Sequence, residues 1–289
     1  RMPVTEQFVH HYLRHACCAR YIDALDGMPV WTNAEAHYFR LGEEMFASMC
    51  EELARAHKFI FLEYFIIEEG VMWDTILDIL KCKAQQGLDV RVLYDDVGSI
   101  TTLPPSYDRY LATLGIRAVR FNRFVPTLNT YLNYRNHRKM MIIDGNVGYM
   151  GGINLADEYI NEKVRFGHWK DMGIMLRGEG TVNMTVLFLQ MWEYVTGESV
   201  PPLDDYLPTT KLPPDGFVQP FADSPLDDLN IGESLYLQII HNARRYVYIT
   251  TPYLVLDNEM ITALTIAAQS GVDVRILTPG IPDKKLVYM

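Results

Sequence analysis

Two segments of the chain repeat each other, and a repeated helix and strand unit leaves few folds open. Ala56-His57-Lys58-Phe59-Ile60-Phe61-Leu62 matches Ala243-Arg244-Arg245-Tyr246-Val247-Tyr248-Ile249 at an offset of 187 (243 − 56). Gly87-Leu88-Asp89-Val90-Arg91-Val92-Leu93 matches Gly271-Val272-Asp273-Val274-Arg275-Ile276-Leu277 at an offset of 184 (271 − 87). Self-similarity of this kind marks one supersecondary unit used twice. In each copy a β-branched and aromatic run is followed by a helical stretch and a second such run. Each unit therefore reads as α/β, with parallel strands joined by crossover helices.

The remaining elements follow from period and punctuation. Residues 34–57 carry Tyr38, Leu41, Met45, Met49 and Leu53 at spacings of three and four, which predicts one amphipathic helix. Residues 59–67 predict a strand, in which Glu63 has either a partner near a site or a surface position at a strand end. A helix over 73–86 stops at Gly87, and a strand over 88–94 is closed at the sheet edge by Asp95-Asp96. Pro104-Pro105 open a helix that ends at Gly115, and 116–121 is a strand. Residues 169–176 predict a strand and 181–196 a helix. Five prolines within 197–215 mark a linker. Beyond it come a helix over 235–243, a strand over 246–250, a helix over 259–270 and a strand over 272–277. The resulting division is an N-terminal helical segment (1–33), a first domain (34–196), the linker (197–215) and the start of a second domain (216–289).

Within the first domain, residues 135–154 read RNHRKMMIIDGNVGYMGGIN. His137, Lys139 and Asp144 stand as H-x-K-x4-D, followed by Gly151, Gly152 and Asn154 as G-G-x-N. Met140–Ile143 predicts a buried strand, Asp144-Gly145 a turn and Val147–Met150 a returning strand. Side chains two apart in a strand share a face, which aims His137 and Lys139 into one site. The glycines would admit close backbone approach, and the Asn154 amide could donate to an oxygen. An imidazole beside an ammonium suits a phosphoryl group: the imidazole attacks phosphorus or moves a proton, and the ammonium neutralises the non-bridging oxygens.

Charge adds a local feature. The 289 residues carry a net charge of −10, which argues against a general nucleic-acid binder. Between Asp108 and Asp144, however, there is no Asp or Glu, while Arg109, Arg117, Arg120, Arg123, Arg135, Arg138 and Lys139 fall in the same stretch. Such a stretch would focus a field for an anionic substrate. The aromatic and amide-rich residues 122–134 ahead of the motif would line an acyl-chain channel, touch a membrane surface or simply pack on the domain. His11 and His15 are four apart with no third ligand evident, so a solvated or partly packed face is expected there rather than a metal site. The four cysteines show no metal spacing, and Cys50 and Cys82, in helical stretches with apolar neighbours, are expected to be buried free thiols. No apolar run reaches the roughly 18 residues that span a bilayer.

The segment resembles the H-K-D signature of the phospholipase D superfamily. With R-N-H-R-K-x4-D-G-x5-G-G-x-N, Asp157-Glu158-Tyr159 and Trp169-x-Asp171, it is similar to bacterial cardiolipin synthases. The superfamily often has Ser where Gly152 stands. The resemblance implies a phospholipase D-like layered sandwich, a mixed sheet flanked by helices, in two pseudo-repeats. It implies a phosphatidyltransferase that needs no cofactor and no metal. One His forms a phosphatidyl-histidine from phosphatidylglycerol, a second His protonates the departing glycerol, and a second phosphatidylglycerol accepts the phosphatidyl group. The catalytic set would be His137 (nucleophile or general acid–base), Lys139 and Asp144, the last orienting and holding local structure rather than moving protons. Asn154, Gly151, Gly152, Arg135 and Arg138 would serve the phosphate. The implied setting is the cytoplasmic face of a bacterial membrane, with the lipid surface as partner and no nucleic acid. A lipid hydrolase with the same residues, a nuclease of the superfamily and a non-enzymatic lipid-binding scaffold are the rivals.

Such enzymes build one site from two motifs. His137 lies 50 residues after Gly87 (137 − 87), so its counterpart is due near position 321 (271 + 50). Only His168 and His241 follow in the chain. Thr251-Pro252-Tyr253 and Asp283 also resemble second-half sequence. The chain, starting at Arg1 and stopping at Met289, therefore reads as a piece with its second repeat incomplete; the cardiolipin synthases it resembles carry membrane helices ahead of this region, and the sequence itself leaves open whether they precede it here. The second half-site would come from the missing part or from a second copy, and the piece alone is expected to show weak or no activity.

Overall fold

The computed structural model describes residues 4–12, 15–124, 134–200, 202–224 and 229–281. In chain order the elements are α1 (Val4–His11), α2 (Ala16–Asp26), β1 (Ala34–Phe39), α3 (Gly42–Ala54), β2 (Phe59–Tyr64), α4 (Val71–Gln85) and β3 (Asp89–Asp95). Then follow α5 (Asp96–Ser99), α6 (Tyr107–Thr113), β4 (Arg117–Phe121), β5 (Met140–Ile143), β6 (Val147–Gly151), β7 (Gly173–Gly178) and α7 (Thr181–Thr196). The last are α8 (Ile231–Asn242), β8 (Tyr246–Thr250), α9 (Asn258–Gln269) and β9 (Asp273–Leu277).

The chain forms two compact units. One contains the described residues of Met28–Asp228, the other those of Arg1–Gly27 and Leu229–Met289. This division differs from the one expected at 33/34 and 215/216. The Pro-rich stretch 197–215 belongs to the first of these units because its side chains have places in it. Tyr206 is buried against Phe59 and Phe61 at 5.1 and 5.6 Å. Asn146 Oδ1 accepts from the backbone N–H of Thr209 and Thr210, both at 2.8 Å.

The larger unit is built on a seven-stranded mixed sheet in the order β1-β7-β6-β5-β2-β3-β4. β2, β3 and β4 run parallel, and the other neighbouring pairs are antiparallel. Alternate residues of the central strands face opposite layers, as the two-residue period requires. Ile60, Leu62, Val90, Val92, Met141 and Ile143 join Met45, Met49, Leu53, Trp73, Ile76 and Leu80 of α3 and α4 in one large core. On the other face Phe61 stacks on Phe188 of α7 at 4.6 Å. There the Arg91 guanidinium lies over the rings of Phe61, Trp192 and Tyr206, at 4.9, 5.3 and 5.9 Å, while Asp89 pairs with it at 2.6 Å. This cation is buried because it is paired and stacked.

Residues 34–39 are a strand, where a helix continuous with 42–54 was expected. β1 pairs along its full length with β7, and Phe39 stacks on Tyr149 at 6.1 Å, so sheet hydrogen bonds override the helical spacing. Gly42 opens α3, at a point where a Cβ would run into the carbonyl of Tyr159. Residues 5–24 divide into two helices, and the chain turns at His15 between them. Of the aromatic stretch 122–134, residues 125–133 lie outside the described residues.

The smaller unit holds α1, α2, α8 and α9 with the parallel pair β8-β9. Its registers repeat those of β2-β3: Phe59 faces Asp89, and Tyr246 faces Asp273. The same offsets relate them, 187 (246 − 59) and 184 (273 − 89). Val247 and Val272 pack there with Ile240, Ala263, Leu264 and Ala267. Among the described residues no helix is long and apolar enough to cross a membrane.

Candidate active site

The strand directions gather the chemistry at one end of the large sheet. The carboxyl ends of β2, β3 and β6 and the amino ends of β5 and β7 all lie there. The carboxyl end of parallel strands is where α/β proteins place ligands, because loops rather than hydrogen-bonded ladders begin there. His137 and Lys139 precede β5 in backbone that is neither helix nor strand. His137 is exposed, its ring 4.7 Å from that of Phe65, the residue that follows β2. The Lys139 ammonium lies 5.2 Å over the same Phe65 ring and donates to the His137 carbonyl at 2.6 Å. The structure thus brings the imidazole and the ammonium together around one aromatic ring, which sequence spacing gave no means of finding.

Lys139 is only 8% exposed, and burial pulls its ammonium down to about 7, opposed by the carboxylates of Asp171 and Asp95. Burial likewise raises the Asp171 carboxyl, although the Met172 N–H, Trp169 and Lys139 all favour its charge. A phosphodiester arriving here would favour the charged ammonium, as any nearby anion does.

Asp144 lies at the opposite end of β5. Its carboxylate accepts backbone N–H groups from His57, Lys58 and Phe59, at 2.8, 2.7 and 2.9 Å. Asp144 and Gly145 both have positive φ, +55° and +67°, which closes the β5–β6 hairpin. Asp144 therefore ties the hairpin to β2, at the end of β5 away from His137 and Lys139.

The glycines and Asn154 have close partners within the protein. A Cβ on Gly151 would stand 2.5 Å from the Met172 carbonyl oxygen and 2.8 Å from Gly173 Cα, so this glycine lets β6 and β7 approach. A Cβ on Gly152 would run into the Asp171 carboxylate. Gly151→Ala is expected to destabilise the protein by about 1–3 kcal/mol. A melting temperature equal to wild type would mean that the two strands can separate at no cost. Asn154 is 2% exposed; its Oδ1 accepts from Ile66 N–H at 3.0 Å and its Nδ2 donates to the Tyr159 hydroxyl at 2.6 Å. Its amide does donate to an oxygen, but one belonging to the protein. Asp157 accepts the N–H groups of Val71 and Met72 and so caps α4.

The acid-free basic stretch is not a bare cationic surface. Arg120 lies 3.2 Å from Asp96 and 3.3 Å from Asp108, and Arg123 lies 3.6 Å from Asp108. Arg135 pairs with Asp95 at 3.3 Å, Arg138 approaches Glu63 at 3.7 Å, and Arg117 pairs with Glu198. The partners come from distant parts of the chain, so the local charge count misleads. Two of them, Asp95 and Glu63, are fully buried beneath the motif. β3 is an interior strand, so Asp95 closes no sheet edge; it holds the chain entering the motif. For Glu63 the position near the site is the one observed, and the surface position is excluded.

Fold and site together define an α/β protein with a His–Lys centre at the carboxyl end of parallel strands. A family described as "Cardiolipin synthase, PLD-like domain" matches residues 49–172 and 236–288. The chain belongs to this family of the phospholipase D superfamily. It is 38% identical to a cardiolipin synthase of Alkalihalophilus pseudofirmus, over 90% of this chain and 52% of that protein. It is 37% identical to a cardiolipin synthase 2 of Bacillus cereus, over 98% of this chain and 55% of that protein. An uncharacterized protein of Streptococcus mutans is 48% identical over 93% of this chain and 59% of its own length. The chain thus spans little more than half the length of these relatives. The crystal structure of a phosphatidylserine synthase from Haemophilus influenzae shares the fold, with a TM-score of 0.62 at 15% identity, over 90% of this chain and 65% of that one.

Proposed function

We propose that this chain carries one half of the site of a phosphatidyltransferase that makes cardiolipin from phosphatidylglycerol. The observation that supports this reading best is the exposed His137 imidazole beside the buried Lys139 ammonium, on one ring at the ligand-binding end of the sheet. The imidazole nitrogen bonds to phosphorus of one phosphatidylglycerol, and the bond from phosphorus to the glycerol headgroup oxygen breaks. A proton from a second histidine, supplied outside the described residues, completes the departing glycerol. The headgroup hydroxyl of a second phosphatidylglycerol then attacks phosphorus and loses its proton to that second histidine. Cardiolipin forms and the first imidazole is freed; the two histidines can exchange these roles. Lys139 steadies the charge on the phosphoryl oxygens in both steps. Relatives named cardiolipin synthase, each covered over about half its length, support the choice of reaction. The membrane surface is where both lipids reside and is the partner this reading requires.

The test uses the natural full-length protein in phosphatidylglycerol vesicles, with lipid products identified by mass. Cardiolipin and free glycerol are expected, and His137→Ala is expected to lower their formation by at least about 1,000-fold. Phosphatidic acid as the sole lipid product would make the protein a hydrolase, with water taking the place of the acceptor hydroxyl. Cleavage of a nucleic-acid backbone without lipid turnover would make it a nuclease. Unaltered product in the His137→Ala protein would remove His137 from the reaction.

A further inference from the structure

His137 stands at the apex of a small turn whose closure depends on one residue, Asn136. Its side-chain Oδ1 accepts the N–H of Arg138 at 3.2 Å, so the side chain closes a loop around His137. Its own N–H donates to Asp95 Oδ2 at 3.0 Å, and its Nδ2 donates to Glu63 Oε1 at 2.6 Å. Asn136 is 3% exposed, and Asp95 and Glu63 are fully buried. Two carboxyl groups, one on β2 and one on β3, thus hold the residue before His137 from beneath.

Asp95 has other work, since it also accepts the N–H groups of Val97 and Gly98 and caps α5. Glu63 does not. Its only hydrogen bond among the described residues is the one from Asn136; Oε2 has no partner, and the Arg138 guanidinium lies 3.7 Å from Oε1. Burying a carboxyl with half its capacity unmet is costly, and an apolar side chain would fill the same place on β2 without that cost. Packing therefore does not account for Glu63, whereas the turn at His137 does.

We propose that Glu63 is a positioning residue for His137, acting through Asn136 to hold the 136–138 turn and so the imidazole against Phe65. The inference rests on the reading of His137 as the reacting group, and it adds a role on β2, 74 residues earlier in the chain (137 − 63). Glu63→Gln keeps an acceptor oxygen for Asn136, Glu63→Leu removes it, and Asn136→Ala removes the link from the other side.

The experiment measures two quantities on the natural full-length protein and these variants, each first shown to melt cooperatively. One is lipid turnover in phosphatidylglycerol vesicles. The other is the rate at which diethyl pyrocarbonate modifies His137, read by peptide mass, which does not depend on the reaction. Glu63→Leu and Asn136→Ala are each expected to lower kcat by about 100-fold with KM near wild type. Modification of His137 is expected to accelerate as the ring leaves Phe65. Glu63→Gln should restore both quantities, and the Glu63→Leu/Asn136→Ala double variant should be no worse than either single one, as two residues acting in one link require. Wild-type kcat and labelling in either Glu63→Leu or Asn136→Ala would overturn the proposal. So would a Glu63→Gln protein as impaired as Glu63→Leu. If the wild-type protein turns over no lipid, the functional reading fails, and the labelling rates alone decide whether Glu63 positions His137. Asn136→Ala provides the test should Glu63→Leu not fold.

Discussion

Replacing Lys139 by methionine is expected to lower turnover by about 1,000-fold, the scale of losing one preorganised group from a charged transition state. The same change is expected to raise the stability of the seven-stranded unit near pH 7. Burial brings the Lys139 ammonium from 10.5 down to about 7, which corresponds to roughly 5 kcal/mol against the charged form. Methionine fills a similar volume without that penalty. The His137 carbonyl then loses its donor, and Asp171 and Asp95 lose a nearby cation. The net gain should therefore be nearer about 1–2 kcal/mol.

The pH dependence gives a sharper test. Between about 7 and 10.5 the unfolded chain holds the Lys139 proton and the folded chain does not, so this residue makes wild-type stability rise with pH in that window. Below 7 both states hold the proton and the charged ammonium exerts its full cost. Wild type should thus gain about 2 kcal/mol on Lys139→Met between pH 7 and pH 9, measured by denaturant unfolding of both proteins. A constant difference across that range would mean that the ammonium keeps an ordinary affinity for its proton. An arriving phosphodiester would then find the amine already charged.

The second large effect belongs to Asp144, and it is on stability. Asp144→Ala leaves three backbone N–H groups at the start of β2 without their acceptor. It also forces alanine into φ near +55°, a region that Asp and Asn tolerate better. A loss of about 3–5 kcal/mol is expected, a fall of roughly 10 °C in melting temperature. Asp144→Asn, which retains an acceptor oxygen and the same backbone tolerance, should lose less. Well below the transition, both variants should turn over substrate within a few-fold of wild type. A variant with the wild-type melting temperature and no activity would return Asp144 to the catalytic set.

The H-x-K-x4-D pattern holds residues with two different tasks. His137 and Lys139 precede β5 and Asp144 follows it, so the four-residue strand between them separates the two groups to opposite ends of the sheet. The pattern is legible in the sequence, and the resemblance already separates Asp144 from proton transfer, but the backbone groups that Asp144 holds are not legible there. The same holds for Gly151 and Gly152, where spacing suggests room for a ligand and the structure shows room for β7 and for Asp171. Residues 34–39 mislead for another reason. Tyr38, Leu41 and Met45 keep a helical spacing across the end of an edge strand, whose hydrogen bonds come from β7, about 140 residues later (178 − 34 = 144).

From residue types and spacing alone came the α/β class, the parallel strand pairs of both repeats, the β5–β6 hairpin and the presence of His137 and Lys139 as a candidate reacting pair. Each depends on neighbours within a strand, a turn or one repeat, where periodicity and turn preferences act directly. Which carboxylate supports which group was decided only by the tertiary structure. Asp144 meets Phe59 across 85 residues, Glu63 meets Asn136 across 73, and Asp95 meets Asn136 across 41. A buried acceptor is defined by the donors that folding brings within about 3 Å of it, and those donors lie on segments that only the sheet makes adjacent.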